Sequence, residues 1–183
     1  MIRTIQSHVF IDGPNIDMVL GKDVLGRFPR RFERPRWDRV RDFCHTELGC
    51  ARPTFVLNGN RFSLGNPELL GFRRVLREFG YEVQCPRRGD EDPVDEYIKE
   101  RVQTIAKTSP GCEVAVMSHD NGYAAELKSI LSWGGKVSVI GFPEEMSPRL
   151  VRLREYGANI IDLEHHVGGF DIRLGRPVLN WRD

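Results

Sequence analysis

Six short β-rich runs separated by helical patterns constrain this chain more than any other feature. The runs are HVFID (8–12), PTFVLN (53–58), YEVQCP (81–86), EVAVMS (113–118), KVSVIG (136–141) and NIIDL (159–163). Between them lie amphipathic stretches near 36–48, 67–79, 93–107, 121–133 and 147–156. A strand that returns parallel to its neighbour needs a crossover long enough to hold a helix, so this alternation predicts an α/β fold with a mostly parallel sheet flanked by helices. Gly80, Gly134-Gly135 and Gly157 stand where a helix hands over to the next strand. No repeat interrupts the rhythm, and 183 residues with 40% hydrophobic content suffice for one large core.

The formal charge of +1 excludes a polyanion binder that works by net charge alone. Its make-up is more informative: 22 Arg against 5 Lys, and Arg carries a planar fork suited to phosphate and carboxylate. Cys44, Cys50, Cys85 and Cys112 are unevenly spaced, Cys44-His45 with Cys50 lacks a second half with zinc-ligand spacing, and MIRTIQSH has no apolar core. No apolar run approaches the ~20 residues of a membrane helix. A cytoplasmic protein without a membrane partner is expected.

In open parallel sheets, ligands bind beyond the carboxyl ends of the strands, near the point where strand order reverses. The first run ends in Asp12, followed by Gly13, Pro14 and Asn15, and the fourth ends in Ser118, followed by His119, Asp120 and Asn121. A third acidic group comes from GDEDPVDEYIKER (89–101), with six carboxylates and one Lys in positions 90–100. Asp92 before Pro93 reads as a helix N-cap, which puts Asp95 in the first turn and Asp92, Asp95, Glu96 and Lys99 on one face. Three carboxylates converging on one crevice repel unless protonated or neutralised, and Mg2+ or Mn2+ with oxygen ligands is the usual solution. The chain lacks G-x-G-x-x-G after its first strand, a P-loop and a G-x-S-x-G elbow, which removes dinucleotide, P-loop nucleotide and ordinary serine-hydrolase chemistry.

FIDGPNI, DPVDEYI, VMSHDNGYAAELKSILSWGGKVSVIGF and SPRLVRLREYGANIIDL together resemble the NYN domain family, the LabA-like branch of the PIN-like metal-dependent nucleases, over residues 7–163. The resemblance implies a three-layer, Rossmann-like domain over 1–164, with sheet order 3-2-1-4-5, and a Mg2+ or Mn2+ site that cleaves RNA. Carried over, Asp12, Asp95 and Asp120 match the catalytic, metal-binding acids. Asn15 and Ser118 match residues expected to orient carboxylates or a phosphate, with Asn121 beside them. One position departs. Many members read Ser-Gly-Asp-Ser-Asp-Phe, whereas here Gly122 takes the place of the second aspartate. Asp92 or Glu96 is then the candidate substitute for a fourth acid, and His119 is either a proton-transfer group or a solvent-facing loop residue, the latter favoured.

Substrate should meet positive charge, and residues 27–41 hold seven Arg against Glu33 and Asp38, interleaved with Phe28, Phe32 and Trp37. Arginines for phosphates and aromatics for unpaired bases are how single strands are gripped. Arg27, Arg30, Arg31, Arg34, Arg36, Phe32 and Trp37 are therefore the expected RNA contacts, with Arg73, Arg74, Arg77, Arg87 and Arg88 as an extension. The leading expectation is a metal-dependent ribonuclease acting on RNA that is single-stranded or has unpaired regions. Its rivals are a catalytically weak RNA-binding or regulatory module and a metal-dependent small-molecule phosphatase. Residues 165–183 fall outside the rhythm and are expected to pack on the domain or on an oligomer partner, such as a second copy.

Overall fold

The computed structural model describes residues 7–60, 66–87, 92–109 and 111–179. Six strands, β1 (Ser7–Asp12), β2 (Thr54–Val56), β3 (Glu82–Gln84), β4 (Glu113–Met117), β5 (Lys136–Gly141) and β6 (Asn159–Asp162), form one sheet of order β3-β2-β1-β4-β5-β6. Every neighbouring pair is parallel. The expected order 3-2-1-4-5 is present, and β6 extends it by one strand. All six strands fall on the β-rich runs.

Alternation along the strands sorts the helices into two layers. Val9 and Ile11 point to one face of β1 and Phe10 to the other, because successive strand side chains alternate. The first face packs against α1 (Gly13–Val19), α2 (Trp37–Thr46) and α3 (Pro67–Glu78), through Ile16, Val40 and Leu76. The second packs against α4 (Pro93–Thr108), α5 (Ala124–Ser132) and the short α6 (Pro148–Val151), through Ile98, Leu127 and Leu150. On α4 the buried stripe is Val94, Ile98, Val102 and Ile105, the i, i+4 pattern the sequence carries. Gly80, Gly134 and Gly157 all take positive φ at helix ends, the conformation glycine adopts without penalty.

One element is not legible as a helix in the sequence. Gly13-Pro14 reads as a turn, yet the chain enters α1 directly from β1 and continues through a π-helical turn at Leu20–Val24. Pro14 fits because the first-turn amides lack helical acceptors anyway. Gly13 fits because any side chain there would collide with the Phe55 ring on β2. Among the described residues, no helix is long and apolar enough to cross a membrane.

The C-terminal segment packs on its own chain. Phe170 is buried, the Arg36 amide donates to the Gly169 carbonyl at 2.7 Å, and Arg39 donates to the Phe170 carbonyl at 2.9 Å. Arg176 ends this strap with a side chain only 3% exposed, bound to Glu144, Asp162 and Glu164 and lying over the Phe142 ring.

Candidate metal centre

Strand order reverses between β1 and β4, so their carboxyl ends open the crevice where α/β sheets bind ligands. Asp12 ends β1, with Ser118 and Asp120 just past β4. Ser118 donates to Asp12 Oδ2 at 3.2 Å, which fixes one carboxylate oxygen, and the Asn15 amide donates to Oδ1 at 3.1 Å. Asp12 is thus the N-cap of α1 as well as a crevice residue. Asp92 caps α4 by accepting from the Val94 amide at 3.0 Å and is itself exposed. Asp120 caps the 3-10 turn Asn121–Tyr123, accepting from the Gly122 amide at 2.7 Å. Asn121 is exposed and Glu96 half-buried.

The residue that joins the acids is Tyr123. Its hydroxyl lies 3.0 Å from Asp12 Oδ2 and 2.5 Å from Asp95 Oδ1. A phenol carries one proton and can donate to only one carboxylate at a time. The second must bring a proton of its own or bear the repulsion. The electrostatics agree: burial raises the Asp12 carboxyl to about 7, with the Asp95 charge adding to it and hydrogen bonds from Asn15, Tyr123 and Ser118 opposing it. Asp95 is raised as well, first by burial and then by Asp120 and Asp92, while Tyr123 and Lys99 pull the other way. The phenol of Tyr123 is itself pushed up, by burial and by both aspartates.

The three matched acids are not a closed cage. Asp12 and Asp95 meet at Tyr123, and Asp120 stands near enough to raise Asp95. Among the described residues, no three His, Cys, Asp or Glu side chains converge closely enough to hold a metal by themselves. Mg2+ rarely needs such a cage; it is commonly held by one or two carboxylates, with waters and substrate phosphate completing the shell. A buried carboxylate whose proton affinity its half-buried neighbour raises fits, with that neighbour, a hard divalent cation, which would displace the proton.

Two candidates take different places from those expected. His119 faces the interior, 5% exposed, rather than solvent. Its Nδ1 and backbone amide both lie 2.9 Å from Asn15 Oδ1, its Nε2 accepts from the Phe142 amide at 2.8 Å, and its ring stacks on Phe142. Burial and the nearby Arg176 charge lower its pKa to about 3, and its two ring nitrogens tie Asn15 to the backbone at Phe142. Asn15 accordingly spends its side-chain oxygen on His119. Trp37, expected to stack on a base, sits in the core edge-on to Phe55.

The basic segment lines a groove together with Gly13 and Pro14, and much of its charge is committed. Arg27 forks onto Glu33, Arg34 onto Asp17, and Arg36 onto Asp38 and Asp171. Arg27 holds the Glu33 carboxyl down to about 2. Arg30 and Arg31 are exposed, as are Phe28 and Phe32, and Arg34 and Arg30 lie over those two rings. A groove of about 930 Å³ runs from Gly13 and Pro14 past Arg27, Phe28 and Arg34 to Leu69 and Phe72, and none of Asp12, Asp95 and Asp120 lines it. In the suggested extension Arg74 pairs with Glu78, and Arg88 lies outside the described residues, as do 89–91 of the acidic segment.

Tyr123 was hidden from sequence reasoning because an aromatic after a capping turn reads as core, and its ring is indeed buried. The one available signal was that Tyr, unlike Phe, needs a partner for its hydroxyl when buried.

No family model matches the chain, and no curated protein matches it in sequence. Among solved structures, the crystal structure of a protein of unknown function from Vibrio parahaemolyticus RIMD 2210633 superposes with a TM-score of 0.68 at 17% identity. The match covers 88% of this chain and 94% of that one, a likeness of fold.

Proposed function

We propose that the protein is a metal-dependent ribonuclease that hydrolyses phosphodiester bonds of RNA with unpaired regions. The observation that carries this reading is the Asp12–Tyr123–Asp95 bridge at the strand-order reversal, an acidic pair that burial and neighbouring carboxylates leave short of positive charge. The sequence resemblance to NYN domains points the same way. Asp12 and Asp95 would hold a single Mg2+ or Mn2+, with Asp120 reaching it through water. Such an ion, when bound, activates water and neutralises charge on the attacked phosphate. Ser118 and Tyr123 orient the Asp12 carboxylate, and Asn15 with His119 fixes the loop that carries Asp120. The groove that begins at Gly13, the residue after Asp12, with Phe28 and Arg34 on its wall and Arg30 and Arg31 exposed on the same segment, supports a strand rather than a small phosphoester as substrate.

A second reading, an RNA-binding module without cleavage, is favoured by the lack of a three-acid cage among the described residues. The experiment that separates the two incubates purified protein with labelled single-stranded RNA, with and without Mg2+ or Mn2+, beside an Asp12→Asn variant. Cleavage by the parent that requires metal and is lost in the variant is the expected result. Tight binding without cleavage supports the module, and equal cleavage by both proteins removes the metal-nuclease reading.

A further inference from the structure

Lys99 is the unexplained charge of this site. It lies four residues beyond Asp95 on α4, so it shares the face that meets the crevice. A Cβ built on Gly122 would lie 3.0 Å from Lys99 Nζ, 3.1 Å from its Cε and 3.2 Å from Asp120 Oδ1. The ammonium therefore fills the room that a side chain at 122 would take. Gly122 is absent from the glycines with positive φ, so its backbone does not require glycine; what the missing side chain provides is that space.

The ammonium is half-buried, and among the described residues it forms no hydrogen bond and no ion pair within 4 Å. Its field reaches Asp95, whose carboxyl it pulls down against the other acids. Charge balance gives this placement meaning. Asp12, Asp95 and Asp120 carry three negative charges when ionised, and one ammonium leaves two, which a single divalent ion cancels. A second divalent ion would overshoot neutrality and would stand beside a fixed positive charge.

We propose that Lys99 takes the place of a second divalent ion: the site binds one metal, and the Lys99 ammonium contacts a non-bridging oxygen of the substrate phosphate. Lysine suits this role because it is a compact point charge on a flexible stem. The proposal deepens the ribonuclease reading and rests on it for the identity of the ligand, a phosphodiester. The glycine at 122 is then an adaptation to the lysine rather than the loss of a ligand.

The test counts bound Mn2+ by electron paramagnetic resonance in the parent, in Lys99→Met and in the double variant Lys99→Met/Gly122→Asp, and follows single-turnover RNA cleavage by the parent and Lys99→Met. Circular dichroism confirms that each variant is folded. The proposal expects one Mn2+ in the parent, one in Lys99→Met with equal or tighter affinity, and two in the double variant. It expects cleavage by Lys99→Met to fall ~10²-fold, the size typical of removing one charge-stabilising donor. Two Mn2+ in the parent, one in the double variant, or parental cleavage by Lys99→Met overturns it. If the parent cleaves no RNA the ribonuclease reading fails, and the Mn2+ counts still decide whether Lys99 holds the second ion's place.

Discussion

At the scale of single residues, the site is organised by one hydroxyl shared between two acids. Because the Asp12 carboxyl sits at about 7, well above the ordinary value of 3.8, its protonated form is the one the metal-free fold prefers. The contribution of a raised carboxyl is fully present below the unfolded pKa and is lost as pH rises through the folded one. The metal-free protein is therefore expected to lose on the order of 3 kcal/mol of stability between pH 5 and pH 8 from this group alone. Denaturant titrations at the two pH values check this, and Asp12→Asn should flatten the difference. Mg2+ competes with that proton, so it should raise the melting temperature more at pH 8 than at pH 5. Tyr123→Phe keeps the ring in the core but removes the shared proton. It should cost about 1.5–3 kcal/mol, as for hydrogen bonds to charged groups. A smaller loss in denaturant melts would mean the bridge is incidental.

At the scale of elements, the arginine segment divides into structural and available charge. Arg36 ties α2 to the C-terminal strap through Asp171, whereas Arg30 and Arg31 are exposed beside Phe32. Arg30→Ala/Arg31→Ala should weaken RNA binding with little effect on melting temperature and reduce the salt dependence of affinity by roughly two phosphate contacts. Arg36→Ala should instead lower the melting temperature. Fluorescence anisotropy across a salt series, paired with thermal melts, distinguishes them. The sequence made the strands and the larger helices readable because each carries its own hydrophobic period and its own stop, such as Gly80 after α3 or Asp92-Pro93 before α4. It concealed α1, whose seven residues begin directly after the last residue of a strand and look like a turn. It also concealed which arginines are free, since the acids that bind Arg27, Arg34 and Arg36 include partners as distant in sequence as Asp171.

At the scale of the whole molecule, the C-terminal strap is wired to the site. Arg176 lies over Phe142, whose amide holds His119, and His119 in turn holds Asn15 next to Asp12. Its guanidinium meets Glu144, Asp162 and Glu164 with almost no exposure, so Arg176→Ala would leave three acids without their cation. Breaking a buried pair in this way typically costs ~3–5 kcal/mol. The variant should show that loss in denaturant melts and a diminished RNA cleavage rate. The convergence of Asp12, Asp95 and Asp120 on one crevice was readable because strand ends and helix starts in an α/β sheet gather at the order reversal. The strap, His119 and Tyr123 were not, because their roles depend on contacts between residues twelve or more positions apart that no local pattern encodes.

The claim that everything else depends on is that the Asp12–Asp95 pair holds the divalent ion that drives RNA hydrolysis. Asp95 is the better probe, since it is half-buried in the first turn of α4 and caps nothing. Single-turnover cleavage of a labelled single strand, titrated with Mg2+ for the parent and for Asp95→Asn, is the direct measurement. A saturable Mg2+ dependence in the parent and a fall of ~10² or more in the variant is the predicted result. Cleavage by Asp95→Asn at the parental rate and with the parental Mg2+ dependence would contradict it.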